Sequence, residues 1–257
     1  MGGTETLCLY IVPVLYGSAA YPEEYVASTF GQDLLFSMAV ALVINGALRV
    51  RRLVGGRVLT NFLLGRYYRP LREGRIFMFL DLADSTRLSE QMGDVKVQSM
   101  IRDFFFDIAR PIVQCGGETH RYIGDEIVVT WPLGDPDDNF RCLDCVMGIE
   151  DVMSQRSEWY RNRYGVVPKF RIGLHGGPVV ASEVGDNKRE IVYFGDTVNT
   201  AARIQSLCKT LGKPTLISQD LLQHINTKGR CQCHSIGDHQ LPGKNEPVGV
   251  CEISPAH

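Results

Sequence analysis

Two aspartates in this chain stand where divalent metal ions could be held beside phosphate groups. Asp81 ends an apolar run that begins at Ile76, and Asp125 follows a glycine in a turn between two segments typical of β-strands. Carboxylate oxygens are the ligands that Mg²⁺ prefers, and two carboxylates can hold two ions. Ser85 and Thr86 come next at the predicted start of a helix, where unpaired N–H groups attract anions. The serine could instead be a simple helix cap, but the two carboxylates together predict a site for metal-bound phosphates.

A predicted helix at residues 195–211 carries an amide and a guanidinium on one face. Asn199 and Arg203 are four residues apart, and side chains at that spacing lie one above the other on an α-helix. A guanidinium can stabilise the negative charge that develops on a phosphoryl group, and an amide can orient a ribose. The alternative is an exposed arginine beside a capping asparagine. Together with the two aspartates, the pair favours phosphoryl transfer on a nucleotide.

Three segments, at residues 75–81, 121–126 and 194–203, resemble the catalytic motifs of the class III nucleotidyl cyclases in their order and in their amino-acid sequence. The resemblance covers the chain from about residue 75 to its end. It implies that Asp81 and Asp125 hold two Mg²⁺ or Mn²⁺ ions and that Asn199 and Arg203 act on the transition state. It also implies a head-to-tail homodimer whose sites combine residues of both chains. The implied reaction turns ATP into 3′,5′-cyclic AMP and pyrophosphate.

The positions that read the base in this family depart from its usual pattern. Arg121 stands where adenylate cyclases usually carry Lys, and Val192 stands where they carry Asp or Thr. Arg121 can still donate to adenine N1, whereas Val192 cannot bond the exocyclic amine. Guanylate cyclases tend to carry Glu and Cys, and neither is present. Lys244 resembles a late lysine that contacts the triphosphate. ATP is therefore the expected substrate, with GTP as the alternative.

The segment 121–127 allows other interpretations. It resembles the GGDEF motif of diguanylate cyclases, but Ile123 replaces the second glycine, and Asn199 and Arg203 have no role in that motif. A catalytically inactive module that binds nucleotide or only dimerises is a further alternative, against which the intact carboxylate and Asn/Arg pairs argue. Glu126, within this segment, is expected to point to the opposite face of its strand and to take no part in metal binding.

Strand and helix signals alternate from Ile76 onwards in the order β-α-β-β-α-β, and further strands close the chain. Predicted strands cover residues 76–81, 118–122, 127–131, 169–175, 178–184, 215–217, 231–239 and 248–253. Predicted helices cover residues 87–115 as two consecutive pieces, 140–164 and 195–211, and a short helix comes after residue 217. Gly176 and Gly177 are expected to break one strand from the next. This order predicts a ferredoxin-like α+β sandwich with extra C-terminal strands, which is also what the resemblance implies.

The first 48 residues contain no Lys or Arg, whereas eight arginines occur between Arg49 and Arg75. Apolar runs at 7–20 and 30–50 approach the roughly 20 residues that a membrane span requires. The arginines on one side predict a cytoplasmic location for the remainder of the chain. We therefore expect a membrane-anchoring helical segment at 1–48, as one span or a hairpin, a basic connecting helix at 49–74 and the catalytic domain at 75–257. A buried or interfacial helix is the alternative, and the missing basic n-region argues against a signal peptide.

Composition excludes some classes of protein. A hydrophobic content of 44% and a charged content of 22% are those of a globular chain. A net charge of −2 argues against a general nucleic-acid-binding protein. The eight cysteines have no regular spacing and are expected to be reduced. Cys231, Cys233 and His234 lack the second ligand pair of a structural zinc site, so their role stays open.

Overall fold

The computed structural model describes residues 23–54, 65–186 and 189–255 and divides the chain into two units, residues 1–59 and 60–257. In the first unit, helix α1 (Glu23–Val54) covers the apolar run predicted at 30–50. Its exposed large apolar side chains are Leu34, Leu35, Phe36, Met38, Val40, Leu42, Val43, Ile44 and Leu48. The amide of Asn45 donates to the carbonyl of Ala41 at 2.8 Å, so this polar group is satisfied within the helix. The second predicted apolar run, at 7–20, lies outside the described residues.

The predicted membrane span is not found in the described segments. No helix there combines the length and the apolar character that crossing a membrane requires. The predicted connecting helix at 49–74 is described in part. Residues 49–54 continue α1, residues 55–64 lie outside the described residues, and residues 71–74 already belong to a strand.

The second unit is built on one sheet of eight strands. These are β1 (Leu71–Leu82), β2 (Glu118–Ile123), β3 (Glu126–Pro132), β4 (Phe170–Val184), β5 (Glu190–Phe194), β6 (Thr215–Ser218), β7 (Cys231–His239) and β8 (Val248–Pro255). Its order is β2-β3-β1-β4-β6-β8-β7, and β5 pairs with β4 outside that path. Only the β4–β6 pair is parallel among these strands. The arrangement β2-β3-β1-β4 has the connectivity of a βαββαβ sandwich, as predicted, and β6 to β8 extend it.

Helices lie between the strands of the second unit. In its described residues they are α2 (Ser85–Met92), α3 (Asp94–Gln114), α4 (Pro136–Asn139), α5 (Arg141–Tyr164), α6 (Asp196–Leu211) and α7 (Gln219–Leu222). The predicted pair of helices at 87–115 is confirmed as α2 and α3, which Gly93 separates. The predicted helices at 140–164 and 195–211 are confirmed as α5 and α6.

The centre of the sheet is covered on both faces. Side chains from Ile76 to Leu80 in β1 are at most 6% exposed, which is the pattern of a strand buried on both sides. One face packs against α3 and α5 in the main hydrophobic core. The other face carries Phe77 and Phe79, which pack with Ala201 of α6 and with Tyr193 of β5. The helix that carries Asn199 and Arg203 therefore lies against the strand that carries Asp81.

The glycine pair expected to break a strand lies inside the continuous strand β4. A Cβ at Gly176 would stand 2.8 Å from Leu221, and one at Gly177 would stand 2.9 Å from the hydroxyl of Thr197. Both distances are too short for a side chain, so the glycines leave room for the helices that pack on β4. The predicted break was wrong because these glycines serve packing and do not form a turn.

Helix α6 also approaches β4 closely at Gly173. A Cβ built on Gly173 would lie 2.6 Å from the Cα of Gln205. Backbone therefore packs directly on backbone at this point, and no side chain lies between the helix and the strand.

Candidate active site

Three carboxylates meet where β1 ends. Asp81 is the register partner of Glu126, the first residue of β3, so both side chains stand on the same face of the sheet. Asp125 lies in the turn before Glu126, where Gly124 adopts a φ of 65°. The backbone N–H of Leu82 donates to the carbonyl of Asp125 at 3.4 Å and holds that turn beside β1. Asp81 and Asp125 thus come together as the sequence predicted.

The expectation that Glu126 points away from the site was wrong. Strand pairing places Glu126 directly opposite Asp81, and both aspartates act electrostatically on its carboxyl group. Successive side chains point to opposite faces only within a strand, so Glu126 and Ile127 of β3 lie on opposite faces. Asp125 belongs to the turn before β3, and its side chain can therefore lie on the same side as that of Glu126.

Burial, together with the crowding of like charges, raises the pKa values of two of these groups. Burial, and after it the nearby charge of Asp125, raises the pKa of Asp81 to about 6. Burial and the charges of Asp81 and Asp125 raise the pKa of Glu126 to about 7. Both groups would ionise more readily with a cation beside them, so the chemistry of the donor set fits a divalent metal ion.

Two polar groups from other elements adjoin this carboxylate cluster. Gln205 of α6, which is 7% exposed, donates from Nε2 to Oδ2 of Asp81 at 3.3 Å and opposes the rise in the pKa of Asp81. Arg171 of β4 is the register partner of Asp81 on its other side and also favours the ionised carboxylate. Sequence reasoning missed both residues, because only strand pairing and helix packing bring them to Asp81.

The donor set resembles an open metal site. In the described part of the chain, no three or more His, Cys, Asp or Glu side chains are arranged to enclose a metal ion. Mg²⁺ is commonly held by one or two carboxylates together with water and substrate phosphates. Asp81 and Asp125 can supply the protein's share of such a set.

Helix α2 begins at Ser85, so the predicted helix start next to Asp81 is confirmed. The preceding residue, Asp84, has a φ of 61°, and its side chain makes no capping hydrogen bond. Its carboxylate lies 3.7 Å from Arg171 instead. Ser85 and Thr86 are therefore the first two residues of a helix whose N-terminus lacks a side-chain cap and can receive an anion.

Helix α6 carries the predicted Asn/Arg pair next to a loop that carries Lys244. Asn199 is exposed and Arg203 is half-buried. Nη1 of Arg203 is buried and has no hydrogen-bond partner among the described residues, and a Cβ on Gly243 would stand 3.0 Å from Nη2. Lys244 donates to the carboxylate of Asp196 in the first turn of α6. The structure thus gathers three nitrogen-bearing side chains at this end of the helix.

The two positions predicted to read the base lie on β2 and on β5, a strand that was not predicted. Arg121 of β2 donates from Nη2 to Oε2 of Glu190 at 2.8 Å. Val192 is half-buried and lies two residues after Glu190, on the same face of β5. Sequence reasoning missed Glu190 because it missed the strand, although the run 190–194 has the β-branched and aromatic residues typical of one.

Comparison with known proteins gives a consistent result. Residues 73–251 match the family described as adenylate and guanylate cyclase catalytic domain. The chain is 39% identical over 222 residues to adenylate cyclase 2 of Rhizobium meliloti (strain 1021), which covers 86% of this chain and 61% of that protein. It is 26% identical over 186 residues to an adenylate cyclase of Anabaena cylindrica, covering 68% of this chain and 36% of that protein. The chain thus spans less than two thirds of the length of these relatives.

Solved structures of low identity share the fold. The adenylyl cyclase CyaB from P. aeruginosa superposes with a TM-score of 0.65 at 18% identity, over 74% of this chain and 97% of that one. The guanylyl cyclase Cya2 superposes with a TM-score of 0.63 at 22% identity, over 73% of this chain and 95% of that one. Both resemblances concern the α+β architecture alone.

Proposed function

The chain belongs to the adenylate and guanylate cyclase catalytic domain family, and from that membership we propose that it converts ATP into 3′,5′-cyclic AMP and pyrophosphate. The observation that carries the proposal is the meeting of Asp81 and Asp125 at the end of β1, in a cluster whose raised pKa values call for a cation. The 39% identity to an adenylate cyclase supports ATP as the substrate.

In the proposed reaction the ribose 3′-oxygen attacks the α-phosphorus and the bond to pyrophosphate breaks. Asp81 and Asp125 would hold Mg²⁺ or Mn²⁺, two ions per site, which lower the pKa of the 3′-hydroxyl and neutralise phosphate charge. Arg171, opposite Asp81 on β4, offers a guanidinium to phosphate oxygens. The open start of α2, at Ser85 and Thr86, offers backbone N–H groups to the same polyphosphate.

Asn199, Arg203 and Lys244 form the second half of the proposed machinery. The buried Nη1 of Arg203, which lacks a partner in the described residues, is available to the charge that develops on the α-phosphoryl group. Asn199 is exposed one turn earlier and can orient the ribose. Lys244 can exchange its bond to Asp196 for one to the triphosphate.

We propose that these two halves come from different chains of a head-to-tail homodimer. Mixing Asp81→Asn chains with Arg203→Ala chains then creates heterodimers with one intact site, so activity should return to a mixture of two inactive proteins. The measurement is cyclic nucleotide formation across a range of mixing ratios, with heterodimers verified by differential tags. Activity that stays at the level of the single variants in verified heterodimers contradicts a shared site.

We propose further that the N-terminal segment attaches the chain to the cell membrane, with the catalytic domain, residues 75–257, on the cytoplasmic side. The lack of Lys and Arg before Arg49 and the exposed apolar side chains of α1 support this proposal. Because no helix in the described segments meets the requirements of a span, the test must separate spanning from surface attachment. A chain that only detergent extracts from the membrane is inserted in it, and a chain that carbonate extracts is bound at its surface. A chain that is soluble without either treatment contradicts attachment.

The catalytic proposal is tested by incubating the purified chain with ATP or GTP and with Mg²⁺, Mn²⁺ or a chelator. We expect cyclic AMP and pyrophosphate from ATP in the presence of either ion and no product with the chelator. Formation of cyclic GMP alone would support the guanylate alternative. No cyclic product from either nucleotide, from protein that is folded and dimeric, would overturn the proposal.

A further inference from the structure

Arg121 and Glu190 form an ion pair between two strands that are not neighbours in the sheet. Strands β3, β1 and β4 lie between β2 and β5 in the sheet order, yet Nη2 of Arg121 and Oε2 of Glu190 are 2.8 Å apart. The two side chains are 43% and 39% exposed. Ion pairs with this much exposure contribute little to stability. The stability of the fold therefore does not account for this contact.

A β-bulge directs the arginine toward β5. The register of β2 against β3 shifts between Thr119 and Arg121, so His120 is the extra residue. The ring of His120 packs on Tyr193 with centroids 5.0 Å apart, and Arg121 bonds Glu190. In a regular strand two successive side chains point to opposite faces, whereas here both contact β5. Bulges commonly aim a side chain in this way next to a binding site.

Within one chain, the pair also lies between the hairpin that carries Asp125 and the strand that leads to Asn199. Arg121 precedes Asp125 by four residues on the β2–β3 hairpin, and Glu190 lies on the strand that runs directly into α6 with Asn199. Val192, on the same face of β5 as Glu190, supplies an apolar surface beside the two charged groups. A donor, an acceptor and an apolar surface at one place are what a heteroaromatic ring requires.

We propose that Glu190 reads the adenine base: its carboxylate accepts a hydrogen bond from the exocyclic N6 amine while Arg121 donates to N1 and Val192 packs on the ring. This inference rests on the proposed function. Adenine presents its N1 acceptor next to its N6 donor, which matches a guanidinium in contact with a carboxylate. A carboxylate has about four lone-pair positions, so it can accept from Arg121 and from the base together. Glu190 thereby supplies the acceptor that Val192 lacks.

The test compares ATP with purine riboside 5′-triphosphate, which differs from ATP only in lacking the N6 amine. Glu190→Ala should lower kcat/KM for ATP by about 30-fold and for the analogue by about 3-fold or less, since only ATP loses a charged hydrogen bond. Glu190→Gln keeps the size of the side chain and should lower the ratio of the two kcat/KM values by about 10-fold. This second variant covers the case in which the alanine variant fails to fold.

The matched control is Glu183→Ala in the same β4–β5 hairpin. Glu183 pairs with Arg189 at 3.0 Å and belongs to neither half of the proposed machinery, so its loss should leave the ratio unchanged. An equal fall for ATP and the analogue in both Glu190 variants would show that the residue only supports β5, and would overturn the inference while leaving the cyclase proposal intact. A Glu190→Ala variant that loses GTP turnover but not ATP turnover would overturn it also. Absence of any cyclic product from the wild-type chain would instead count against the proposed function.

Discussion

Strand β1 carries a charged cluster at each end, and the two clusters differ in how their charges are balanced. At its start, Arg75 is 4% exposed, and its guanidinium donates to Glu73 at 2.7 Å, to Glu118 at 3.2 Å and to the hydroxyl of Tyr67 at 3.1 Å. Burial disfavours the cation, but the influence of Tyr193, Glu73 and Glu118 outweighs it and raises the pKa of Arg75 above its ordinary value. At this end of the strand the positive charge of Arg75 is paired with carboxylates of the same cluster.

At the other end of β1, carboxylates crowd together with less compensation. Asp81, Asp125 and Glu126 adjoin each other, and Gln205 and Arg171 offset only part of the effect of burial and of their repulsion, because the pKa of Asp81 still rises to about 6. A cluster in which opposite charges pair with one another stabilises one arrangement of the fold. A cluster with an excess of one charge can bind a counter-ion. The first cluster therefore supports structure, and the second fits a function.

The largest effect that we expect comes from removing a charge at the unbalanced end. Asp81→Asn should lower kcat by three or more orders of magnitude, about 4 kcal/mol or more, because it removes a carboxylate proposed to hold the metal ions. The same change relieves repulsion, so the metal-free variant should be at least as stable as the wild type. Cyclic nucleotide formation and thermal unfolding without metal check the two statements. If Asp81→Asn loses activity because it unfolds, the carboxylate cluster supports the fold as the Arg75 cluster does, and the proposed difference between them is wrong.

Removing a charge at the start of β1, where charges are paired, should lower stability. Arg75→Met removes the buried guanidinium that Glu73 and Glu118 share, while Arg66 still lies 3.5 Å from Glu73, and should lower the free energy of unfolding by about 3 kcal/mol. Urea unfolding monitored by circular dichroism measures this. Arg102→Met is the control, since Arg102 is 70% exposed beside Asp103 and its loss should change stability by about 0.5 kcal/mol or less. Equal effects of the two changes would mean that the Arg75 cluster does not support the fold.

A smaller effect should result from loss of the amide that supports Asp81. Gln205→Leu removes the bond from Nε2 to Oδ2, which both orients the carboxylate and favours its charged form. We expect about 10-fold weaker Mn²⁺ binding in calorimetric titration, the lower limit for loss of a group that orients a metal ligand. Ser206→Ala, a change at the next and exposed position of α6, should bind Mn²⁺ as the wild type does. Unchanged affinity in the leucine variant would exclude a positioning role for Gln205.

The smallest effect concerns pH. The folded-state pKa values of Asp81 and Glu126, about 6 and about 7, lie above their ordinary values, so the folded protein holds these protons more tightly than the unfolded chain. The stabilisation is full below about pH 4 and is lost as the pH rises through 6 and 7. Between about pH 5.5 and 8, the Tm of the metal-free protein should therefore fall by about 3 °C more than that of Asp81→Asn. Identical pH profiles would show that the carboxylates of this cluster do not repel one another.

The sequence was sufficient for the order of most elements and for the short motifs. Asp81, Asp125, Asn199 and Arg203 each stand out by residue type and local context, and the βαββαβ order is predicted by periodicity. The roles assigned to those residues stay predictions. The membrane span was predicted from the same kind of local pattern and was not found in the described segments.

Contacts between distant segments were beyond the reach of sequence patterns. Glu126 was assigned to the wrong face because the alternation rule was extended from a strand into a turn. Arg171 and Gln205 reach Asp81 through strand register and helix packing, neither of which leaves a local signal. The strand with Glu190 has five residues, too few for a convincing alternation. The misses at Glu126, Arg171 and Gln205 concern which segments adjoin, whereas the miss at Glu190 concerns what a segment is.

The direct contact of α6 with β4 at Gly173 has a mechanical consequence. Because no side chain lies between them, the backbones of the helix and the strand are in direct contact. The distance between the helix and the sheet therefore depends on the absence of a Cβ at Gly173. An alanine there would lift the helix and pull Gln205 away from Asp81 without replacing any group that is proposed to act on the nucleotide. Tolerance to substitution in this domain should accordingly be lowest at a position that has no side chain and no chemistry of its own.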